Sequence, residues 1–333
     1  MDAIHDLPDA WGLPRPWAVT ANDGGINNLN YRVDTPAGAY FLKLYQNTAD
    51  PVRITYEFDL LTRLEQVGLS FQVPVPMPTP DGKRLVTVET PTGTSKSALF
   101  RLIPGGPVAK GNLAHALASG AAYGELDAAL ARIPVDFAAS PHAGWDRLDR
   151  VHPAVLDPEE ALTAIPGGRQ LLPVLAMLQE RVPALYARLP RQLIHADPAR
   201  ANVLLADNRV TGILDFEFAA PDRRLIDFLA VLYTFGAGLR DELDPWPLME
   251  AAARGYAAFS PLTAFEIEAV PTIWRLSRMV SLLHWAGRER AGLSPQAATV
   301  ERVESTAAFD QWLAAHEERL QANLLAWQSP PSR

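Results

Sequence analysis

A chain of 333 residues with a formal net charge of −8 is long enough to bury two cores beside a shared cleft, and its sign works against nucleic-acid or anionic-membrane partners by repulsion. The absence of cysteine excludes disulfides, thiolate metal sites and cysteine nucleophiles together. The acidic, proline-bearing first twenty residues lack the apolar core of a signal peptide, and the most apolar stretch, 225–239, contains Asp227, so a cytoplasmic protein without a membrane span is expected.

Residues 1–20 predict a short helix and a leading strand. A glycine turn then passes into alternating strand residues through Gly24, Gly25, Ile26, Asn27, Asn28, Leu29, Asn30 and Tyr31, and after Pro36 to Gly38 the run Ala39 to Tyr45 returns antiparallel. Backbone amides of such a hairpin can approach phosphates closely, which makes Gly25 and Asn28 candidate nucleotide contacts. The spacing is not G-x-G-x-x-G, and a hairpin with a turn role alone stays open.

Only four of the 30 cationic residues are lysines. One of them, Lys43, sits mid-strand in Phe41-Leu42-Lys43-Leu44-Tyr45, where a compact ammonium can point along one face at nucleotide phosphates; strand alternation also allows an outward, solvated side chain. The helix that follows places Glu57, Leu60, Leu61, Leu64 and Val67 on one stripe. A carboxylate facing a core needs a partner, and Lys43 is the natural one; the alternative is that Glu57 marks the stripe's margin and favours the helix dipole. Beyond Gly68 come four spaced prolines, the Asp81-Gly82 turn and a hairpin of about 84–89 and 97–103.

From Asn112 onward helices dominate: 113–130, much of 158–188 with a break at 166–168, then 246–258, 263–289 and 298–327. Between them the run 193–233 holds the densest chemistry. His195, Asp197 and Asn202 form H-x-D-x4-N, bracketed by the apolar pieces Leu193-Ile194 and Val203-Leu204-Leu205, which read as buried strands. Asn208 and Arg209 turn the chain, and Val210 to Leu214 delivers Asp215 at a strand end. Phosphoryl transfer needs a carboxylate to orient the attacking hydroxyl and hard oxygens to hold Mg²⁺ against phosphates. Asp197 suits the first role, Asn202 and Asp215 the second. The bland alternative is that each merely hydrogen-bonds the backbone of a turn.

His195-Ala196-Asp197 with Asn202, followed by Asp215-Phe216-Glu217, resembles the catalytic and metal-binding loops of the aminoglycoside phosphotransferase and type II homoserine kinase superfamily, the protein-kinase-like small-molecule kinases. Protein kinases carry Gly where Glu217 stands, and many superfamily members carry Glu. The resemblance implies an α+β, protein-kinase-like two-lobe fold: a small five-stranded antiparallel lobe with one helix, 1–103, and a mostly helical lobe, 104–333, with ATP between them. It further implies that Asp197 deprotonates the hydroxyl, Asn202 and Asp215 hold Mg²⁺, Lys43 positioned by Glu57 neutralises the phosphates, His195 shapes the loop and Asp227 braces it. By the same carry-over the carbonyl of Arg101 and the amide of Ile103 meet adenine.

The glycine- and asparagine-bearing hairpin and the late helix 272–285 are similar to those of the homoserine-kinase-like branch. On that helix Trp274, Arg278, Ser281 and Trp285 share a face, so Arg278 would pair with an acceptor carboxylate and Trp285 would wall its pocket; the alternative has the aromatics in the core and Arg278 snorkelling to a surface carboxylate. One departure stands out: family members often end the 113–130 helix with Leu-His, and here Leu126 is followed by Asp127.

The expected function is ATP-dependent phosphorylation of a small metabolite's hydroxyl, with a homoserine-like amino alcohol favoured and an aminoglycoside, other amino sugar or choline-type acceptor as the alternative. A catalytically silent nucleotide-binding module, a metal-dependent hydrolase and a protein kinase are the rivals. The first would not need Asp197, the second lacks H-x-H or H-E-x-x-H, and the third lacks an activation segment between Asp215 and Asp227. Oligomeric state and regulation have no sequence signal.

Overall fold

The computed structural model describes residues 3–22, 28–46, 50–90, 93–134 and 140–328; the candidate Gly25 lies outside the described residues. The strands are β1 (Ala18–Asn22), β2 (Asn28–Thr35), β3 (Gly38–Tyr45), β4 (Val86–Thr90), β5 (Gly93–Arg101), β6 (Gly106–Pro107), β7 (Arg191–Ile194), β8 (Val203–Ala206), β9 (Arg209–Ile213) and β10 (Ala220–Arg223). The α-helices are α1 (Ala3–Asp6), α2 (Pro51–Val67), α3 (Leu113–Leu130), α4 (Pro158–Ala164), α5 (Leu172–Tyr186), α6 (Leu225–Phe235), α7 (Pro245–Ala257), α8 (Ala264–Arg290) and α9 (Gln296–Trp327). Among the described residues no helix is long and apolar enough to cross a membrane. The chain divides into two compact units, Met1–Pro107 with Ala201–Glu217, and Val108–Arg200 with Phe218–Arg333.

In the first unit β1, β2, β3, β5 and β4 lie side by side in that order as an antiparallel sheet. Alternation along β3 buries Leu42 and Leu44 with Trp11, Val33, Val88 and Leu99 on one face. The opposite face carries Tyr45, Ala98 and Phe100 against Ile54 and Phe58 of α2. Lys43 belongs to this second face by the two-residue period, so α2 covers it. The helix itself is bounded by local chemistry. Asp50 accepts the Val52 amide (2.9 Å), Pro51 occupies the first turn, and Gly68 at φ 78° closes the end in the left-handed conformation. Burying Ile54, Phe58, Leu61 and Leu64 contributes roughly 1.5–3 kcal/mol each and anchors the helix to the sheet.

In the second unit α3 and α7 pack with their backbones nearly touching. A Cβ on Gly124 would stand 2.3 Å from the Tyr256 carbonyl oxygen, and one on Gly255 would stand 2.2 Å from that of Leu117. Helix α8 begins in a capping box, Thr263 accepting the Glu266 amide while Glu266 accepts that of Thr263; Arg224 grips the same carboxylate through two nitrogens at 2.8 Å. The apolar stretch 225–239 forms α6 at 225–235 followed by a single tight turn. Strand β7 pairs antiparallel with β10, Ile194 opposite Ala220, a partner the sequence reading did not supply.

Candidate active site

The β8–β9 hairpin turns through Asp207 (φ 50°) and Asn208 (φ 60°), the two left-handed residues that a two-residue type I′ turn requires. Val203 pairs with Ile213, and the Leu214 amide donates to the Asn202 carbonyl at 2.8 Å. The residues flanking the hairpin, Asn202 and Asp215, are thereby set across one ladder from each other. Asp215 has φ 66°, a conformation that costs a non-glycine residue about 1–2 kcal/mol and that accumulates where function over-determines the backbone.

Lys43 reaches this edge. Its ammonium lies 3.8 Å from Asp215 Oδ1 and 3.6 Å from Glu217 Oε2, with 12% of its side chain exposed. Asn28 donates to the same Glu217 oxygen at 3.3 Å and accepts the Gln46 amide at 3.3 Å, so the start of β2 is tied to the Asp-Phe-Glu segment. The sequence paired Lys43 with Glu57. Here, among the described residues, its ion pairs run to Asp215 and Glu217, while buried Glu57 acts as the strongest of the three carboxylates on the ammonium without a close contact. The helical stripe identifies Glu57 because it is local; the two contacting carboxylates come from a hairpin more than 170 residues away.

One ammonium thus faces three carboxylates. Burial lowers the Lys43 pKa, but Glu57, Asp215 and Glu217 outweigh it and hold the ammonium above its ordinary value. Burial pushes Glu57 up to about 7, Lys43 opposing, and burial with Glu217 pushes Asp215 up to about 6. The excess negative charge and the hard oxygen donors, Asp215 carboxylate and Asn202 amide, fit a divalent ion of the magnesium class.

The segment after β5 continues the same unit. Leu102 donates to Ala39 at 3.1 Å, so by antiparallel alternation the carbonyl of Arg101 and the amide of Ile103 face away from β3. Gly212 makes room for Ile103, since a Cβ there would stand 2.7 Å from Ile103 Cγ2.

In the second unit the loop carrying Asp197 hangs from α6. Asp227 Oδ2 accepts the His195 amide (2.6 Å) and Oδ1 accepts that of Ala196 (2.8 Å), holding Ala196 at φ 66°. His195, fully buried, accepts the Asp197 amide at Nδ1 (3.2 Å) and sets its ring edge-on to Tyr123, which gives it a shaping role. Asp127, the departure from the Leu-His pattern, is buried on α3, accepts the Tyr256 hydroxyl, and feels the charge of Asp227. Burial, then the charge of Asp227, raises Asp127 well above the carboxylate range. Burial pushes Asp227 to about 7 against its two backbone donors.

Of the two acceptor-side candidates, Arg278 is 7% exposed with its guanidinium 4.0 Å over the Tyr233 ring. The alternative of a surface carboxylate partner is overturned: among the described residues no carboxylate lies within ion-pair distance of it. Trp285 is half-buried, with Arg302 at 4.9 Å and Arg288 at 5.5 Å over its ring. Trp274, by contrast, is core, edge-on to Phe309. Sequence reasoning missed Glu217 as a contact of Lys43 and Asn28, although its place two residues after Asp215 was the signal, and it missed Asp127 as the neighbour of Asp227.

Comparison with known proteins agrees with this architecture. The phosphotransferase enzyme family (APH) matches residues 18–262. Homoserine kinase of Acidiphilium cryptum is 28% identical over 292 residues, covering 82% of each chain, and that of Azorhizobium caulinodans is 30% identical over 268 residues, 78% of this chain and 77% of its own. Among solved structures, a microcompartment-associated aminopropanol kinase superposes with a TM-score of 0.66 at 19% identity, covering 95% and 98% of the two chains. Amicoumacin kinase in complex with AMP-PNP, Ca²⁺ and Ami gives 0.67 at 17%, covering 93% and 92%. The fold is therefore protein-kinase-like, an antiparallel sheet with one long helix in the N-terminal part and helices through the C-terminal part, and the chain belongs to the phosphotransferase enzyme family.

Proposed function

We propose that this phosphotransferase moves the terminal phosphoryl group of ATP to a hydroxyl of a small metabolite in the cytoplasm, with a homoserine-like amino alcohol as the leading acceptor. The observation that carries the reading is the Lys43 ammonium held at 3.8 and 3.6 Å from Asp215 and Glu217, beside the ladder that positions Asn202. Lys43 neutralises phosphate charge, with Glu57 and Glu217 tuning and orienting it. Asn202 and Asp215 hold Mg²⁺, which supplies charge neutralisation at the phosphates when bound. The outward backbone groups of Arg101 and Ile103 take the adenine, and Asn28 at the start of β2 contacts the phosphates. Asp197 accepts the hydroxyl proton and aims the oxygen at phosphorus. Homoserine leads because relatives covering more than three-quarters of this chain are homoserine kinases.

The test is ATP consumption with Mg²⁺ across a panel of amino alcohols, hydroxy amino acids, choline and amino sugars, followed by product identification. Transfer to one member, lost in Asp197→Asn with ATP affinity retained, supports the reading. Undiminished transfer by Asp197→Asn ends it.

A further inference from the structure

We propose that Arg278, with Arg240 and Arg302, forms a site for a carboxylate on the acceptor, a reading that rests on the kinase function proposed above and narrows its substrate class. Arg278 is 7% exposed, and its Nε has no hydrogen-bond partner. A buried guanidinium without a counter-ion costs several kcal/mol; among the described residues no carboxylate pairs with it, and it stacks 4.0 Å over the Tyr233 ring. Its neighbours add to the deficit. Arg302, stacked 4.9 Å over Trp285, and Arg240, 8% exposed at its side chain and paired with Asp241 at 3.6 Å, both act on Arg278 as like charges. Such a concentration of cation in an apolar wall is what a fold retains when a ligand supplies the anion.

The cluster belongs to the same unit as Asp197 and lies close to its loop. Arg200, three residues past Asp197, donates its amide to Thr234 Oγ1 at 3.3 Å, one residue from Tyr233. Its own Nη1 is also buried without a partner. A guanidinium fork pairs with a carboxylate through two parallel hydrogen bonds, and Tyr233 and Trp285 give a short aliphatic chain flat surfaces to lie on. The site therefore selects hydroxy acids and hydroxy amino acids over amino alcohols that lack the carboxylate and over polycationic sugars.

Matched pairs decide the matter: L-homoserine with 3-aminopropan-1-ol, L-serine with ethanolamine, and L-threonine with 1-aminopropan-2-ol, each pair differing by the carboxylate. The expected result is a preference for the carboxylate member of about a hundredfold or more in kcat/KM, the scale of a desolvated charge-assisted pair, shrinking to about tenfold or less in Arg278→Met and weakening in the same direction in Arg302→Gln. With nucleotide absent, the carboxylate member raises the Tm of wild type and does not raise that of Arg278→Met. Equal use of both members by wild type, or a preference that survives in a folded Arg278→Met, overturns the inference. Absence of transfer to every alcohol instead overturns the kinase reading, and the nucleotide-free Tm shift then still decides whether the carboxylate site exists.

Discussion

Asp227 on α6 accepts the amides of His195 at 2.6 Å and Ala196 at 2.8 Å while being itself fully buried, so the loop bearing Asp197 is fastened to the helical unit by one carboxylate. The two bonds offset the left-handed strain at Ala196, about 1–2 kcal/mol, and satisfy amides that would otherwise be buried without acceptors.

Asp227→Ala removes both acceptors at once. A buried donor left unsatisfied costs roughly 1–3 kcal/mol, so a loss of about 3 kcal/mol or more is expected in urea unfolding, with kcat falling further than the KM for ATP. Asp227→Asn keeps one acceptor and turns an amide group toward the other donor, giving an intermediate loss. Equal stability of wild type and Asp227→Ala would show that the loop is held elsewhere.

The same carboxylate sets a pH dependence through Asp127. Asp227 at about 7, Asp222 at about 6 and Asp127 well above its ordinary value are all raised in the folded state. Between about pH 4, where free carboxylates ionise, and pH 7, the folded state binds more protons than the unfolded one, and stability falls as pH rises through that window. Glu57 at about 7 and Asp215 at about 6 act in the same direction, and His152, lowered chiefly by burial, opposes them below about pH 6.5. The Tm at pH 5.5 is therefore expected above that at pH 8. Asp127→Asn, which still accepts from Tyr256 and has no titrating carboxyl, flattens the slope and exceeds wild type at pH 8. An unchanged slope would show that Asp127 contributes nothing to it.

Where a signal was local, the sequence carried it. The Asp50-Pro51 start and Gly68 stop of α2, the Thr263 and Glu266 box of α8, and the alanine-rich span of α3 mark their own boundaries. Asp197, Asn202 and Asp215 were nominated by spacing within twenty residues. What escaped depends on partners distant along the chain. Strand β10 carries Pro221 and resembles a connection until β7 is beside it. The carboxylates touching Lys43 belong to a hairpin whose approach no periodicity encodes. The isolation of Arg278 is a property of α6, α8 and α9 together, and Asp127 looked like a lost histidine until Tyr256 and Asp227 were found around it.

Lys43→Met tests the charge balance at the sheet edge. Without the ammonium, buried Glu57 and the Asp215 and Glu217 pair face one another uncompensated. Nucleotide affinity and turnover should both fall, turnover by about 10²–10³, the scale of losing one preorganised electrostatic group. The Tm of the free protein should drop as well. A variant with wild-type turnover would place the phosphate contact elsewhere.

Gly124 joins packing to the loop. Its missing Cβ allows α3 to lie against Tyr256 of α7, and Tyr256 is the residue that donates to Asp127, one turn along α3 from Gly124. Gly124→Ala improves intrinsic helix propensity by about 1 kcal/mol, yet it drives a methyl group to 2.3 Å from a backbone carbonyl oxygen that cannot rotate away. Overpacking of this kind costs roughly 1–3 kcal/mol, so net destabilisation is expected. The displacement also draws Tyr256 from Asp127 and loosens Asp227, so kcat should fall with stability. Gly120→Ala meets Ala252 at 2.1 Å, a full turn further from Asp127. It should cost comparable stability in urea unfolding with a smaller loss of kcat. If the two variants lose turnover equally, α3 transmits nothing specific to the loop, and its close approach to α7 serves packing alone.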